Sequence, residues 1–146
     1  GSGGTQAGLV VGARALTPGC RVLGMSVSDP KGPFSEIVLE IARATDDALG
    51  LGLEIHPGDV VVFDEYLGEG YAKVDRAVAE VIRLVFQTEG IVLDPVYTAK
   101  AMIGLIDLVK TGFFNPTDKI VFVHTGGTPA LFPYREKIFS FLMDRA

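Results

Sequence analysis

The sequence predicts an α/β protein whose core is an open parallel sheet with helices on both faces. Short, continuously apolar runs, such as VVVF at 60–63 and IVFV at 120–123, alternate with longer segments that carry apolar residues at helical spacing. Strands that are apolar throughout are typical of parallel sheets covered on both faces. Glycine- and hydroxyl-rich stretches follow these strands or precede helices, where such sheets bind their ligands. We therefore expect the loops to carry the function.

The first part of the chain alternates between the two kinds of element. A helix is predicted over 5–16, where it meets the stop signal Pro-Gly, and a short strand over 21–28. The next helix covers 33–50 and ends at Gly50. An apolar strand then runs into a loop over 60–66.

The second part of the chain continues the alternation. An amphipathic helix is predicted over 74–90, and the short run 91–94 leads through a proline to a helix over 98–112. The segment 119–127 has the pattern of a buried strand that breaks at glycines, and a last helix lies within 130–143. The apolar face of the helix over 74–90 comprises Val74, Val78, Val81, Ile82 and Val85.

Composition excludes several classes of function. The net charge of -5 and the pI near 4.9 argue against binding to nucleic acids, and no cluster of Lys and Arg favours an anionic membrane. The sequence has no apolar run long enough to cross a bilayer and no signal-peptide pattern. A single cysteine and two distant histidines give neither a disulfide nor metal-ligand spacing, so we expect a cytoplasmic protein without a bound metal.

The chain opens on a stretch suited to an anion, GSGGT at 1–5, directly before the first predicted helix. Glycines let backbone N–H groups converge, hydroxyls add donors, and a helix N-terminus carries partial positive charge. The stretch lacks the lysine of a nucleoside-triphosphate loop, and Gln6 breaks the dinucleotide pattern. This predicts a phosphate held by neutral donors; the alternatives are a flexible terminus, or a non-catalytic flavodoxin-like or Rossmann-like phosphate-binding module.

Four stretches, taken in order, resemble one enzyme family. They are GSGGTQAGLVVGARAL at 1–16, DEYLGEGYAKV at 64–74, EGIVLDPVYTAKAM at 89–102 and HTGGTPALFPY at 124–134. Together they resemble the carboxy-terminal half of the fold-type-II pyridoxal-phosphate enzymes, with a tryptophan synthase β-like large domain, that include D-cysteine desulfhydrase and 1-aminocyclopropane-1-carboxylate (ACC) deaminase. The resemblance implies pyridoxal 5'-phosphate as cofactor, a small amino acid as substrate and a homodimer.

The resemblance also implies roles for individual residues, each of which has a purely structural alternative. Tyr71 could be a half-buried loop aromatic and Tyr97 a residue that begins a helix, while Thr98 and Thr125 could be helix caps. The implied roles are contact with the cofactor phosphate for Ser2, Gly3, Gly4 and Thr5, and proximity to the pyridine nitrogen for Thr98 and Thr125. Tyr71 and Tyr97 are implied to be catalytic residues that orient the substrate and assist proton movement.

The two threonines separate the reactions found in this family. A hydroxyl beside the pyridine nitrogen leaves that nitrogen mostly neutral, so the cofactor is a weaker electron sink and expulsion of a good leaving group is favoured. In the resembling ACC deaminases, Glu stands in the place of Thr98 and a bulky apolar residue in the place of Thr125. The resemblance therefore favours β-elimination from D-cysteine, giving pyruvate, ammonia and hydrogen sulfide, with ACC deamination as the alternative.

The resemblance puts the lysine that forms the imine with the cofactor upstream of Gly1. Residues 1–146 are accordingly expected to be the carboxy-terminal portion of the large domain, without the small domain and the segment that carries this lysine. We expect the chain to be inactive without an amino-terminal half. Lys100 is the lysine nearest to a site motif, but its place in a helix predicts a surface residue.

Overall fold

The computed structural model describes residues 1–144 and contains five α-helices and a parallel two-stranded sheet in that range. The α/β class predicted from the sequence is therefore confirmed. The chain forms two compact units, Gly1–Asp64 and Glu65–Ala146. Each unit has its own apolar core.

The first unit is a βαβ arrangement preceded by a helix. Helix α1 covers Gly4–Leu16, strand β1 covers Leu23–Met25, helix α2 covers Lys31–Leu49 and strand β2 covers Val61–Phe63. A short 3₁₀ turn, Pro57–Asp59, precedes β2. The two strands are parallel because α2 returns the chain to the starting edge of the sheet.

The core of the first unit lies between the two helices and the strand pair. Leu23 is paired with Val61 and Met25 with Phe63, and the N–H of Ser26 extends the ladder to the carbonyl of Phe63. Buried aliphatic and aromatic side chains fill the space between these elements: Ala7, Val10, Val11, Phe34, Val38, Ala42, Ile55, Val60 and Val62. This packing fixes the start of α1, where the predicted phosphate loop lies.

The second unit is helical in its described residues. Helix α3 covers Arg76–Glu89, α4 covers Thr98–Lys110 and α5 covers Leu131–Met143, preceded by a 3₁₀ turn at Thr128–Ala130. The predicted apolar face of α3 is confirmed, since all five of its members are buried: Val74, Val78, Val81, Ile82 and Val85. Asp75 is the N-cap of this helix, and its carboxyl accepts a hydrogen bond from the N–H of Val78.

The buried strand predicted at 119–127 is wrong. Between residues 1 and 144 the only paired strands are β1 and β2, and residues 119–127 form neither strand nor helix. Ile120, Val121 and Val123 are exposed, Val121 by 84%. An apolar run adopts a strand only where neighbouring strands pair with its N–H and C=O groups, and no strand pairs with this run in the described part of the chain. No helix within 1–144 is long and apolar enough to cross a bilayer.

Candidate functional site

The N-terminus of α1 is open, as an anion site requires. Gly3 precedes the helix with φ 81°, and its carbonyl accepts the N–H of Ala7 at 2.9 Å. No side chain among residues 1–144 caps this end, and Ser2, Gly4 and Thr5 are exposed. The first helical N–H groups and two hydroxyls are thus available on a helix end with partial positive charge, which suits a phosphate.

Gln6 holds this end of α1 against the sheet. Its side chain is 9% exposed, and Nε2 donates a hydrogen bond to the carbonyl of Val61 at 2.8 Å. A Cβ at Gly24 would lie 2.1 Å from Oε1 of Gln6, so only glycine leaves room for this amide. In the sequence, Gln6 stands out only because it breaks the dinucleotide-binding pattern. Its contact with β2 depends on tertiary packing, which the sequence does not show.

The two predicted catalytic tyrosines are brought together. The hydroxyls of Tyr71 and Tyr97 lie 2.6 Å apart, and the rings meet edge to face with centroids 6.0 Å apart. Tyr71 is 51% and Tyr97 39% exposed, so both phenols are accessible to a small molecule. The hydrogen bond to Tyr71, aided by burial and by the nearby charge of Asp94, raises the pKa of Tyr97 above its usual value.

Replacing Tyr71 by Phe is expected to lower the pKa of Tyr97 toward the usual value of about 10. The raised pKa means that folding favours the neutral phenol of Tyr97. The hydrogen bond between the two tyrosines therefore stabilises the folded state below the pKa that Tyr97 has in the unfolded chain. This stabilisation is lost as the pH rises through the raised pKa of the folded state. The near-ultraviolet absorbance of ionised tyrosine during an alkaline titration measures this shift. Tyr66→Phe is the control, because Tyr66 bonds to Asp107 and its own pKa is raised to about 12. An unchanged Tyr97 titration in Tyr71→Phe would contradict the pairing.

Asp94 is a buried carboxyl at the start of α4 that sequence reasoning missed. It is fully buried and accepts hydrogen bonds from the N–H groups of Val96, Tyr97 and Thr98 at 2.7–2.9 Å. The hydroxyl of Thr98 donates to the same carboxyl at 2.7 Å and accepts the N–H of Asp94 at 2.8 Å. The structural role predicted as the alternative for Thr98 is therefore observed, because its hydroxyl is hydrogen-bonded to Asp94 at the start of α4. The signal was an Asp-Pro pair just before the helix, where Asp commonly binds the first N–H groups.

The loop that carries Thr125 is held against the segment that contains Asp94. Nδ1 of His124 accepts the N–H of Gly126 at 3.2 Å, so Nε2 carries the proton and donates to the carbonyl of Val92 at 2.9 Å. Gly127 has φ 93°, and a Cβ there would lie 2.8 Å from Cγ of Asp94. Thr125 itself is exposed. Its hydroxyl is thus placed on an anchored loop and is open to a ligand.

Lys100 is not the surface residue that the sequence predicts. Its side chain is 1% exposed, and Nζ donates to the carbonyls of Leu67 and Gly70 at 2.7 and 2.6 Å. Burial lowers the pKa of Lys100, although the charge of Asp75 acts in the opposite direction. The helical pattern could not show this, because the carbonyls that receive the ammonium belong to a loop some thirty residues earlier in the chain.

Comparison with known proteins identifies the class. Residues 1–126 match the family described as pyridoxal-phosphate dependent enzyme. A Pyrococcus furiosus protein provisionally named as an ACC deaminase is 46% identical over 97% of this chain and 42% of its own length. An ACC deaminase of Burkholderia vietnamiensis is 41% identical over 92% of the chain and 40% of its own length. A D-cysteine desulfhydrase of Salmonella paratyphi C is 39% identical over 94% of the chain and 41% of its own length.

A solved structure agrees with these relatives. The crystal structure of an ACC deaminase homologue superposes with a TM-score of 0.86 at 38% identity, over 97% of this chain and 42% of that one. The chain belongs to the family of pyridoxal-phosphate dependent enzymes, and it spans about two fifths of the length of the relatives it matches. The open N-terminus of α1, with its two hydroxyls, fits the phosphate group of that cofactor.

Proposed function

We propose that the polypeptide carrying this chain is a pyridoxal-phosphate dependent lyase that removes the β-substituent of D-cysteine. One water is consumed, and pyruvate, ammonia and hydrogen sulfide are released. Bound cofactor supplies the electron sink that makes the α-proton of an amino acid acidic. The imine lysine, which the resemblance puts outside this chain, and the homodimer remain predictions.

In this proposal the residues of the chain divide the work between binding and proton handling. Ser2, Gly3, Gly4 and Thr5 bind the cofactor phosphate through N–H groups and hydroxyls. Tyr71 and Tyr97 orient the substrate, and their shared hydrogen bond lets one phenol move a proton while the other stabilises the resulting charge.

The two threonines take unequal parts near the pyridine nitrogen. The proton of the Thr98 hydroxyl is engaged by Asp94, so toward the ring this hydroxyl could only accept a hydrogen bond. Thr125 is exposed, and its hydroxyl can donate to a neutral ring nitrogen. Thr98 would then lie behind this position and keep the start of α4 in place.

The observation that carries the proposal is that the carboxyl near Thr125, that of Asp94, is already occupied by hydrogen-bond donors. Thr125 offers a hydroxyl, and the neighbouring Asp94 carboxyl is turned into α4, where four donors occupy it. Such surroundings do not hold a proton on the pyridine nitrogen, so elimination of a good leaving group is favoured over ring opening. The thiolate of cysteine is such a group, with a thiol pKa of about 8.5.

Product analysis tests the proposal. With D-cysteine we expect hydrogen sulfide and pyruvate in equal amounts, and with ACC little or no 2-oxobutanoate. Tyr97→Phe is expected to lower kcat on D-cysteine by about 10²-fold, since a positioned acid or base contributes about 10²–10⁴-fold. Tyr66→Phe is the matched control and should leave kcat unchanged, because its hydroxyl bonds to Asp107 instead.

The alternative function is ACC deamination. It is favoured by the names of the 46% and 41% identical relatives and of the superposed structure. Formation of 2-oxobutanoate and ammonia from ACC, without sulfide from D-cysteine, would replace the first proposal by this one. An absence of both activities in the cofactor-loaded polypeptide would leave a phosphate-binding module.

A further inference from the structure

We propose that Lys100 is a positioning residue: its ammonium group fixes the turn at Leu67–Gly70 and thereby sets the hydroxyl of Tyr71 against that of Tyr97. The inference rests on the proposed function for its effect on catalysis. Its structural part stands on contacts within the second unit alone.

The ammonium of Lys100 is held by geometry that few lysines have. Helix α4 carries it into an environment where 1% of the residue is exposed, and two carbonyl oxygens lie within 2.7 Å of Nζ. Burying a charged group is strongly unfavourable unless hydrogen bonds offset the loss of hydration, and hydrogen bonds from a charged donor are about twice as strong as neutral ones. The two carbonyls therefore cannot move away without leaving a buried charge uncompensated.

The turn that receives Lys100 has little else to define it. Gly68, Gly70 and Ala72 have φ of 60°, 116° and 57°, so the backbone forms no regular ladder. The N–H of Gly70 donates to the carbonyl of Leu67, and the N–H of Lys73 to the carbonyl of Gly70, each at 3.2 Å. These are the carbonyls that Lys100 binds. A left-handed alanine is sterically strained, so the turn needs such external support.

Tyr71 is consequently attached to α4 at both of its ends. Its backbone follows Gly70 directly, and the Gly70 carbonyl is bound by Lys100. Its hydroxyl meets that of Tyr97 at 2.6 Å, and Tyr97 lies three residues before Lys100 at the start of the same helix. Tyr134 adds a third attachment by donating to the carbonyl of Ala72 at 3.1 Å. Without the ammonium of Lys100, the backbone at Gly70 would no longer be bound to α4, although the phenol groups of Tyr71 and Tyr97 would both remain.

Lys100→Met tests the proposal, with Lys110→Met as the matched control at the exposed end of α4. Two structural measurements come first: amide hydrogen exchange over 66–74, and the alkaline titration of Tyr97. In Lys100→Met we expect faster exchange over 66–74 and a Tyr97 pKa shifted in the same direction as we expect for Tyr71→Phe. Lys110→Met should match the parent in both.

Activity on D-cysteine supplies the remaining measurement. We expect Lys100→Met to lower kcat by about 10–100-fold, as misplacement of a reacting group by about 1 Å does, while cofactor affinity changes little. If hydrogen exchange and the Tyr97 titration change in Lys100→Met but no variant alters the activity, the positioning role stands and the proposed function fails. If both match the parent, the inference is overturned. Should Lys100→Met fail to fold, Lys100→Gln removes the charge but keeps an amide NH₂ group as donor, and its Tyr97 titration decides in the same way.

Discussion

Asp94→Ala is expected to lower the free energy of unfolding by about 3–5 kcal/mol, the largest effect of any single substitution considered for this chain. The carboxyl is fully buried and receives three backbone N–H groups and the Thr98 hydroxyl. Each donor left unsatisfied in a buried position costs about 1–3 kcal/mol, and entry of water reduces the sum. Urea unfolding followed by circular dichroism measures the loss.

Asp118→Ala is the control for this substitution. Asp118 also accepts a backbone N–H, that of Asn115 at 2.9 Å, but it is exposed, so water replaces the lost acceptor. We expect a loss of about 0.5 kcal/mol, as for ordinary surface changes. Equal losses in the two variants would show that burial of Asp94 does not decide the stability of the α4 start.

Gly127→Ala is expected to destabilise the protein by about 2–4 kcal/mol, in two parts that can be separated. The left-handed backbone at φ 93° disfavours any side chain by about 1–2 kcal/mol. The new Cβ would also lie 2.8 Å from Cγ of Asp94, an atom held in place by four hydrogen bonds. Overpacking of this kind adds about 1–3 kcal/mol.

Gly126→Ala measures the first part, the backbone cost, alone. Gly126 has nearly the same φ, 96°, but a Cβ there meets nothing within 4 Å. It should therefore show only the backbone cost, and the difference between the two variants measures the collision. In the double variant Asp94→Ala, Gly127→Ala the carboxyl is gone, so the combined loss should be smaller than the sum of the single losses. Equal costs for Gly126→Ala and Gly127→Ala would contradict the close approach.

Local patterns predicted the helices of this chain well. The helix over 5–16 is observed as Gly4–Leu16, and that over 74–90 as Arg76–Glu89 with the predicted face buried. The glycine-rich start was predicted as an open anion site because its chemistry is local: glycines, hydroxyls and the first N–H groups of one helix. The four quoted motifs were also sufficient to identify the enzyme family, and the comparison with known proteins confirms that family.

The sequence predicted the wrong structure where the conformation of a segment depends on partners far away along the chain. The apolar run at 119–127 has the composition of a strand but forms none, because a strand needs hydrogen-bonding neighbours that composition does not specify.

The sequence by itself determined the helices, the fold class and the chemical character of the glycine-rich stretch at 1–5, since each depends on residues within one or two turns of one another. Only the tertiary structure decided that Lys100 is buried and that the hydroxyls of Tyr71 and Tyr97 are hydrogen-bonded to each other. Lys100 meets carbonyls about thirty residues away, and the two tyrosines are 26 residues apart. Such contacts depend on how loops return to a helix, which spacing along the chain does not encode.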